Sequence, residues 1–356
     1  MPWREVIRLL LKRKLAVVCF VLICVMALLA LFAPWLAPDK ALQEQIGLDE
    51  TTGLERPYHP PGWYLYLKPD HPHFEKTGFH TEGEGDKAEQ VPNPPMPEDQ
   101  RQWGFFDART WHLPLGADIG GVSVLARLIR GVRLAFIIGL IPTIISSIIA
   151  TVMGLAAGYF GKWVDDIITY IISVLASVPL LLLLIAFIQA VRESEAIAGA
   201  FESVGVTDKA QRNLYLVLIV IGLTTWIGLC RLVRAEVLKH KNRDYVSAAR
   251  ALGCGEARIL FKHILPNVMH VVIIFFTLSF VGAVGLEVFL SYVGIGVDPT
   301  LQTWGRVITA ARSELQRSPS VWWPLVGATG FLFTLSLSFS LFGDALRDAL
   351  DPKLRT

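Results

Sequence analysis

The chain has 356 residues, 53% of them hydrophobic and only 18% charged, against roughly 25% charged in soluble domains. Its formal net charge of +2 is too small to point to a nucleic-acid partner. Length alone would allow two soluble domains, but the apolar residues gather in runs too long for core strands or ordinary core helices.

A spanning helix needs about 20 apolar residues, and six segments qualify in chain order. Residues 15–36 carry no charge and follow Arg4, Arg8, Lys12, Arg13 and Lys14. That start also suits a cleaved signal peptide. The stretch exceeds a usual signal core, and Pro34 stands where cleavage would fall, so an uncleaved anchor is expected. Residues 134–160 and 167–191 are likewise free of charge. Residues 214–230 form a shorter fourth segment ending at Arg231. The fifth runs from 271 past a single acid, Glu287, to about 297, and the sixth covers 321–343.

Lys and Arg concentrate in cytoplasmic loops. The N-terminal tail therefore belongs inside. Residues 37–126 belong outside, with seven Lys/Arg against fifteen Asp/Glu. Residues 234–266, with seven Lys/Arg against three acids, belong inside together with the C-terminus. Arg127, Arg130 and Arg133 pull the other way, because they precede the second span on its outer side.

The stretch 37–126 is rich in Pro, Gly, His and acids, a composition that favours irregular structure. Trp63, Tyr64, Tyr66, Trp103, Phe105 and Phe106 argue for partial packing. Five of the eight histidines lie here, but their spacing fits no zinc pattern. Cys19, Cys24, Cys230 and Cys254 all lie elsewhere and form no CxxC pair, so neither a disulfide framework nor a metal site is indicated. No cofactor is implied.

The segment 244–253, DYVSAARALG, reads as a short helix. Asp244 suits an N-cap. Tyr245, Ala248, Ala249 and Leu252 recur at helical spacing on one face. Gly253 and Gly255 break the helix as a C′ glycine does. A second short helix, with Arg258 and Lys262 one turn apart, is expected to run to Pro266, after which Asn267 caps the fifth span. Two short helices between two spans make either an amphipathic interfacial loop or a docking surface for a soluble partner.

Residues 245–267, YVSAARALGCGEARILFKHILPN, resemble the EAA loop of bacterial ABC-importer permeases, in the dipeptide, oligopeptide and nickel branch. Ser247 stands at the namesake glutamate, and His263 at the usual isoleucine. Residues 114–121, PLGADIGG, resemble that branch's LGTDxxGRD segment and depart from it at Ala117, Gly121 and Val122. Residues 290–297, LSYVGIGV, with Trp304-Gly305, resemble its LSFLGLGV…WG loop. Residues 343–352, GDALRDALDP, resemble its GDxLRDxLDP tail. The resemblance covers about 1–36 and 112–356 and is to the C-type permease.

It implies an all-α integral membrane fold: a six-helix, type I (MetI-like) permease. The expected division is 1–36 tail and first helix, 37–130 extracytoplasmic insert, and 131–356 five-helix core with a coupling loop at 241–267. It further implies a bacterial inner-membrane subunit that works with a homologous second permease, two ATP-binding subunits, an extracytoplasmic binding protein and membrane lipid. Tyr245, Ala248, Ala249, Arg250, Leu252, Gly253, Arg258 and Pro266 are the expected ATPase-coupling residues. Glu287, Gly294 and Gly296 are candidates for a gate or path. Peptides, nickel chelates, peptide-like antibiotics and some oligosaccharides are carried by relatives, so the substrate stays open.

No GxxxxGK[ST] motif is present, so ATP must be hydrolysed on another chain. No catalytic triad or paired carboxylate stands out in the spans. The competing class is a secondary transporter or channel, which predicts internal repeats and several buried charges; only Glu287 qualifies. For Glu287 three readings stand: contact with a cationic substrate, support of the glycine-rich loop, or reach to interfacial water. Ala150, Gly154 and Gly158, four apart on the second span, permit close helix contact, within the subunit or with a partner permease. The alternative is simple helix flexibility.

Overall fold

The computed structural model describes residues 3–37, 54–68, 70–75, 79–82, 89–92, 95–97, 100–101, 107, 109, 113–192, 194–298, 300–317 and 320–350. Trp103, Phe105, Phe106 and the end of the GDxLRDxLDP-like tail lie outside them. Five helical stretches are long and apolar enough to cross a membrane, and a bent pair supplies a sixth if it is one span. In hydrocarbon each backbone N–H and C=O must be satisfied within its own segment; uninterrupted helices meet that condition.

A short amphipathic helix, α1 (Trp3–Lys12), precedes the first span, α2 (Lys14–Leu36). The second, α4 (Val124–Phe160), is 37 residues long, ten residues longer than the charge-free stretch, and takes in Arg127, Arg130 and Arg133. The third was expected as one helix and is broken. α5 (Lys162–Ser177) and α6 (Leu180–Arg192) meet at 92°. The cause is Pro179: it lacks an N–H and drives the residue before it out of helical geometry, and Val178 is extended at φ −98°, ψ 131°. A short helix, α7 (Glu195–Ser203), follows. The fourth span is α8 (Lys209–Thr224) with α9 (Ile227–Lys241). The coupling segment and α12 (Leu265–Val293) lead to α13 (Trp304–Glu314) and the last span, α14 (Trp323–Leu350).

Contacts divide the chain into two compact units. The first comprises Met1–Val25, Phe136–Leu301 and Thr334–Thr356. Its main core joins Ala150, Leu155 and Ala157 of α4 to Ile168 and Ile172 of α5, to Cys230, Val233 and Val237 of α9, and to Val268 of α12. The small-residue stripe lies at its centre. A Cβ placed on Gly154 would come 2.8 Å from Val233, and one on Gly158 2.7 Å from Val237, while Ala150 is fully buried. The stripe therefore serves a contact inside the subunit. A second core sets Leu184 and Ile188 of α6 against Val217, Val220 and Ile221 of α8 and Ala283 and Leu290 of α12.

The second unit comprises Met26–Ala135 and Gln302–Phe333. The insert contributes α3 (Gly62–Leu67) and one antiparallel pair, β1 (Phe79–Glu82) with β2 (Glu89–Pro92), the only strands among the described residues. The helical core otherwise has the expected all-α class. Leu54, Leu65 and Phe74 of the insert are fully buried together. His59, His71 and His73 are buried too. Their ring nitrogens meet main-chain groups: Nδ1 of His59 the Pro60 carbonyl at 2.6 Å, Nε2 of His73 the Glu55 carbonyl at 3.0 Å, and Nδ1 of His71 accepts from the His73 amide at 3.1 Å. No group of three or more metal-ligating side chains occurs among the described residues.

Two of the three arginines that opposed the charge bias have local partners here. Arg127 pairs with Asp118 at 2.7 Å, and Arg130 donates to the Ala37 carbonyl at 2.7 Å. Asp118 also accepts from the Gly120 and Val122 amides. Trp304 and Trp323 donate their indole N–H to the Leu128 and Ala117 carbonyls.

Gly158→Leu forces a side chain into the α4–α9 contact, where overpacking costs about 1–3 kcal/mol. The melting midpoint in detergent should fall by several degrees. Gly199→Ala, inside α7 where an added Cβ meets nothing within 4 Å, should not lower it, because alanine is the better helix former.

Candidate functional site

The segment expected to serve coupling opens with α10 (Asp244–Ala251). Asp244 was expected to cap it; instead Asp244 is its first helical residue and Arg243 holds the N-cap position without a side-chain bond. The acid still sits in the first turn, where the helix dipole favours it. Gly253 adopts φ +78° with nothing within 4 Å of an added Cβ. Backbone conformation alone therefore asks for glycine there.

The face expected to hold Tyr245, Ala248, Ala249 and Leu252 together divides. Ala249 is 5% exposed and, with Val246 at 0%, joins the core of α4, α5, α9 and α12. Ala248 is exposed, Tyr245 is 36% exposed and Leu252 83%. The reason is geometric: Ala249 lies one turn from Val246, and together they make the inward stripe. Tyr245 shares a hydrogen bond of 2.9 Å with Nδ1 of His240, and partial burial raises its hydroxyl above the usual phenol range.

The second short helix also differs from expectation. α11 (Glu256–Arg258) passes into a π-helical turn, Ile259–Ile264, and then directly into α12. Pro266 was expected to end this helix. It lies in the first turn of α12, where a missing N–H is tolerated, and the wide turn just before it makes room for the ring. The Asn267 amide donates to the His263 carbonyl at 2.7 Å. Ile259 and Ile264 are buried, whereas Arg258 is exposed and Phe261 is 61% exposed. Phe261 carries no motif signal, so only the fold shows it beside Leu252 as an exposed apolar side chain of this segment.

Tyr159, at the end of α4, was not singled out in the sequence. Its hydroxyl donates to the Glu256 carboxylate and accepts from Arg250 Nη2 at 3.3 Å. Arg250 and Lys241 both sit against its ring, 5.9 and 5.8 Å from the centroid. The Tyr159 bond holds the Arg250 guanidinium above its ordinary value. One phenol thus ties α10, α11 and α4 together. Nearby, Arg234 of α9 grips Asp165 of α5 with two bonds of 2.6 Å.

At the other end of α12, Glu287 is 2% exposed and accepts from the Ser291 hydroxyl at 2.8 Å. That burial removes the interfacial-water reading. Gly294 caps the helix at φ +86°. Gly296 packs so closely on Ser291 that a Cβ would meet its Cα at 2.5 Å, and its amide donates to the Leu290 carbonyl at 2.9 Å. From α6, Arg192 Nη2 donates to the Ile295 and Gly296 carbonyls at 3.1 and 2.8 Å. Arg192, missed in the sequence, is thus a second clamp on the glycine loop. Asp298 closes the turn beyond: the Thr300 amide and hydroxyl hold its carboxyl below the usual range.

Tyr159→Phe keeps the ring and removes both hydroxyl bonds, each charge-assisted and worth about 1.5–3 kcal/mol. Amides of 244–258 should exchange with deuterium at least about tenfold faster, with little change elsewhere. Glu287→Gln keeps an acceptor for Ser291, whereas Glu287→Ala strands a buried hydroxyl at about 1–3 kcal/mol. In thermal melts the Gln variant should lie near wild type and the Ala variant clearly below it.

Comparison with known proteins agrees with this geometry. The model of the binding-protein-dependent transport system inner membrane component matches residues 150–356. That of the N-terminal TM domain of oligopeptide transport permease C matches residues 1–61. The Bacillus subtilis oligopeptide transport system permease is 33% identical over 240 residues, 67% of this chain and 72% of the relative. The Pseudomonas aeruginosa di/tripeptide transport system permease is 36% identical over 242 residues, 68% and 72%. The Alkalihalophilus pseudofirmus dipeptide transport system permease is 27% identical over 355 residues, 100% and 91%, a match that spans the insert. The chain belongs to the binding-protein-dependent inner-membrane permeases, in the C-type peptide branch of the ABC importers.

Proposed function

We propose that this permease subunit carries di- or oligopeptides, or peptide-like compounds, inward across the bacterial inner membrane. Its proposed partners are a homologous second permease, two ATP-binding subunits that hydrolyse ATP, and an extracytoplasmic solute-binding protein. Both termini and the coupling loop face the cytoplasm in this reading. The proposed division is 1–36, 37–130 and 131–356.

The observation that carries the coupling role is the split face of α10. Val246 and Ala249 lock the loop to the ends of the spans, while Leu252 and Phe261 stay exposed. A large apolar side chain at 83% exposure on a cytoplasmic loop is a docking knob in need of a pocket. When the ATP-binding subunits close, a loop held in the spans' own core moves with them rather than bending. The displacement then passes through Tyr159 into α4 and through Ile264 into α12. At the far end of α12, Glu287, Ser291 and Arg192 hold the glycine loop in one shape, so tilting α12 moves that loop as a unit. Supporting this loop, rather than meeting substrate, is the role proposed for Glu287. Ala249 then acts by seating the loop, not by touching the ATPase.

In proteoliposomes holding the complete transporter, Leu252→Glu should abolish substrate-stimulated ATP hydrolysis and uptake while the melting midpoint of the isolated chain stays unchanged. Gly253→Val, forced into a left-handed conformation costing roughly 1–2 kcal/mol or more, should impair uptake, and Gly253→Asn should impair it less. Wild-type uptake by both Leu252→Glu and Gly253→Val would refute the docking reading.

Orientation is tested in a background without Cys19, Cys24, Cys230 and Cys254. An impermeant maleimide applied to cells with a permeable outer barrier should label Glu75→Cys and spare Asn242→Cys. The reverse pattern would invert the topology.

A further inference from the structure

We propose that α1, α2, α12 and α14 form a seat for one anionic phospholipid. Two apolar grooves run beside the first span. One is lined by Ile7, Leu11, Ala16 and Val17, the other by Ile23, Val272, Phe276 and Leu346. Phe20 and Phe342 line both grooves, and their rings stand 5.6 Å apart. The aromatic pair is therefore a septum between the two grooves. The one polar group, Thr277, spends its hydroxyl on the Ile274 carbonyl at 2.8 Å, so neither channel offers a bond to a polar ligand.

The charges lie at one end. α1 is a separate amphipathic helix, broken from α2 at Arg13, the form of a helix lying in a membrane interface. It is held there by Val6, buried against Leu346, Ala349 and Leu350, and by the Arg13–Asp348 ion pair. Arg8, Lys12 and Lys14 are exposed and have no ion-pair partner among the described residues. These three cations flank, in sequence, the α1 and α2 residues that line the first groove, and that pattern matches an anionic headgroup with its acyl chains in the two grooves. A partner helix, about 10–12 Å across with its side chains, needs one broad groove, and the septum divides this one. On the proposed orientation the seat faces the cytoplasmic leaflet, whose anionic lipids attract basic segments next to a span. The binding itself can be measured without reference to sidedness.

The test is native mass spectrometry of the purified transporter complex, titrated with palmitoyl-oleoyl phosphatidylglycerol or the matching phosphatidylcholine. The wild type should retain one phosphatidylglycerol on this chain about tenfold more tightly than phosphatidylcholine. Arg8→Gln/Lys12→Gln/Lys14→Gln should erase that preference. These cations can also direct insertion, so a variant with its charges intact is needed. Ile23→Trp, which fills one channel, should lower retention of phosphatidylglycerol while complex yield holds. Equal retention of the two lipids by the wild type would overturn the proposal. So would retention unchanged in Ile23→Trp, or a photo-crosslinker at Phe20 captured by the partner permease rather than by lipid.

Discussion

The close approach of α4 and α9 is the contact on which the first unit depends. Two turns of glycine bring Val233 and Val237 onto the α4 backbone. In a membrane, where lipid tails are as apolar as leucine, helices gain mainly from such close van der Waals contact. The contact places the ends of α4, α5, α9 and α12 around one core. Val246, Ala249, Ile259 and Ile264 of the coupling segment then complete that core. The loop thus belongs to the packed body of the subunit and is not a tether between spans.

The same logic of over-determined shape governs the other end of α12. A glycine-rich turn has many accessible conformations. Here one is selected by a helix-capping glycine at 294, a steric contact between Gly296 and Ser291, a buried acceptor at Glu287 and the Arg192 fork. Arg192 reaches the turn only because the third apolar segment breaks at Pro179 and α6 packs on α8 and α12. The break positions a cation at the loop, which a straight span would not do.

The second unit shows how a polar insert and a run of arginines become structure. Asp118 gathers the Gly120 and Val122 amides and the Arg127 guanidinium, and the tryptophans at 304 and 323 satisfy main-chain carbonyls where α4 begins. Pairing of this kind lowers the cost of placing cations beside an apolar helix. It gives Arg127 and Arg130 partners within the protein at the start of an apolar helix.

The amino-acid sequence by itself determined the class of the molecule, the number of apolar segments to within the broken third, and the short helical segment between α9 and α12. These follow from local rules: the length of an apolar run, the positive φ that Gly253 supplies, the dense small residues of α4. Motif resemblance added the branch of the family. Sequence periodicity put Ala249 on the same face as Leu252 but could not say which side of the helix would be buried. That was decided by Val246 meeting the α4–α9 core, a contact between residues far apart in the chain. The partners of Tyr159 and the clamp of Arg192 were decided in the same way. Each is a long-range pairing, and a one-dimensional pattern carries no distance between residues 91 or 103 positions apart; only packing brings them within a hydrogen bond.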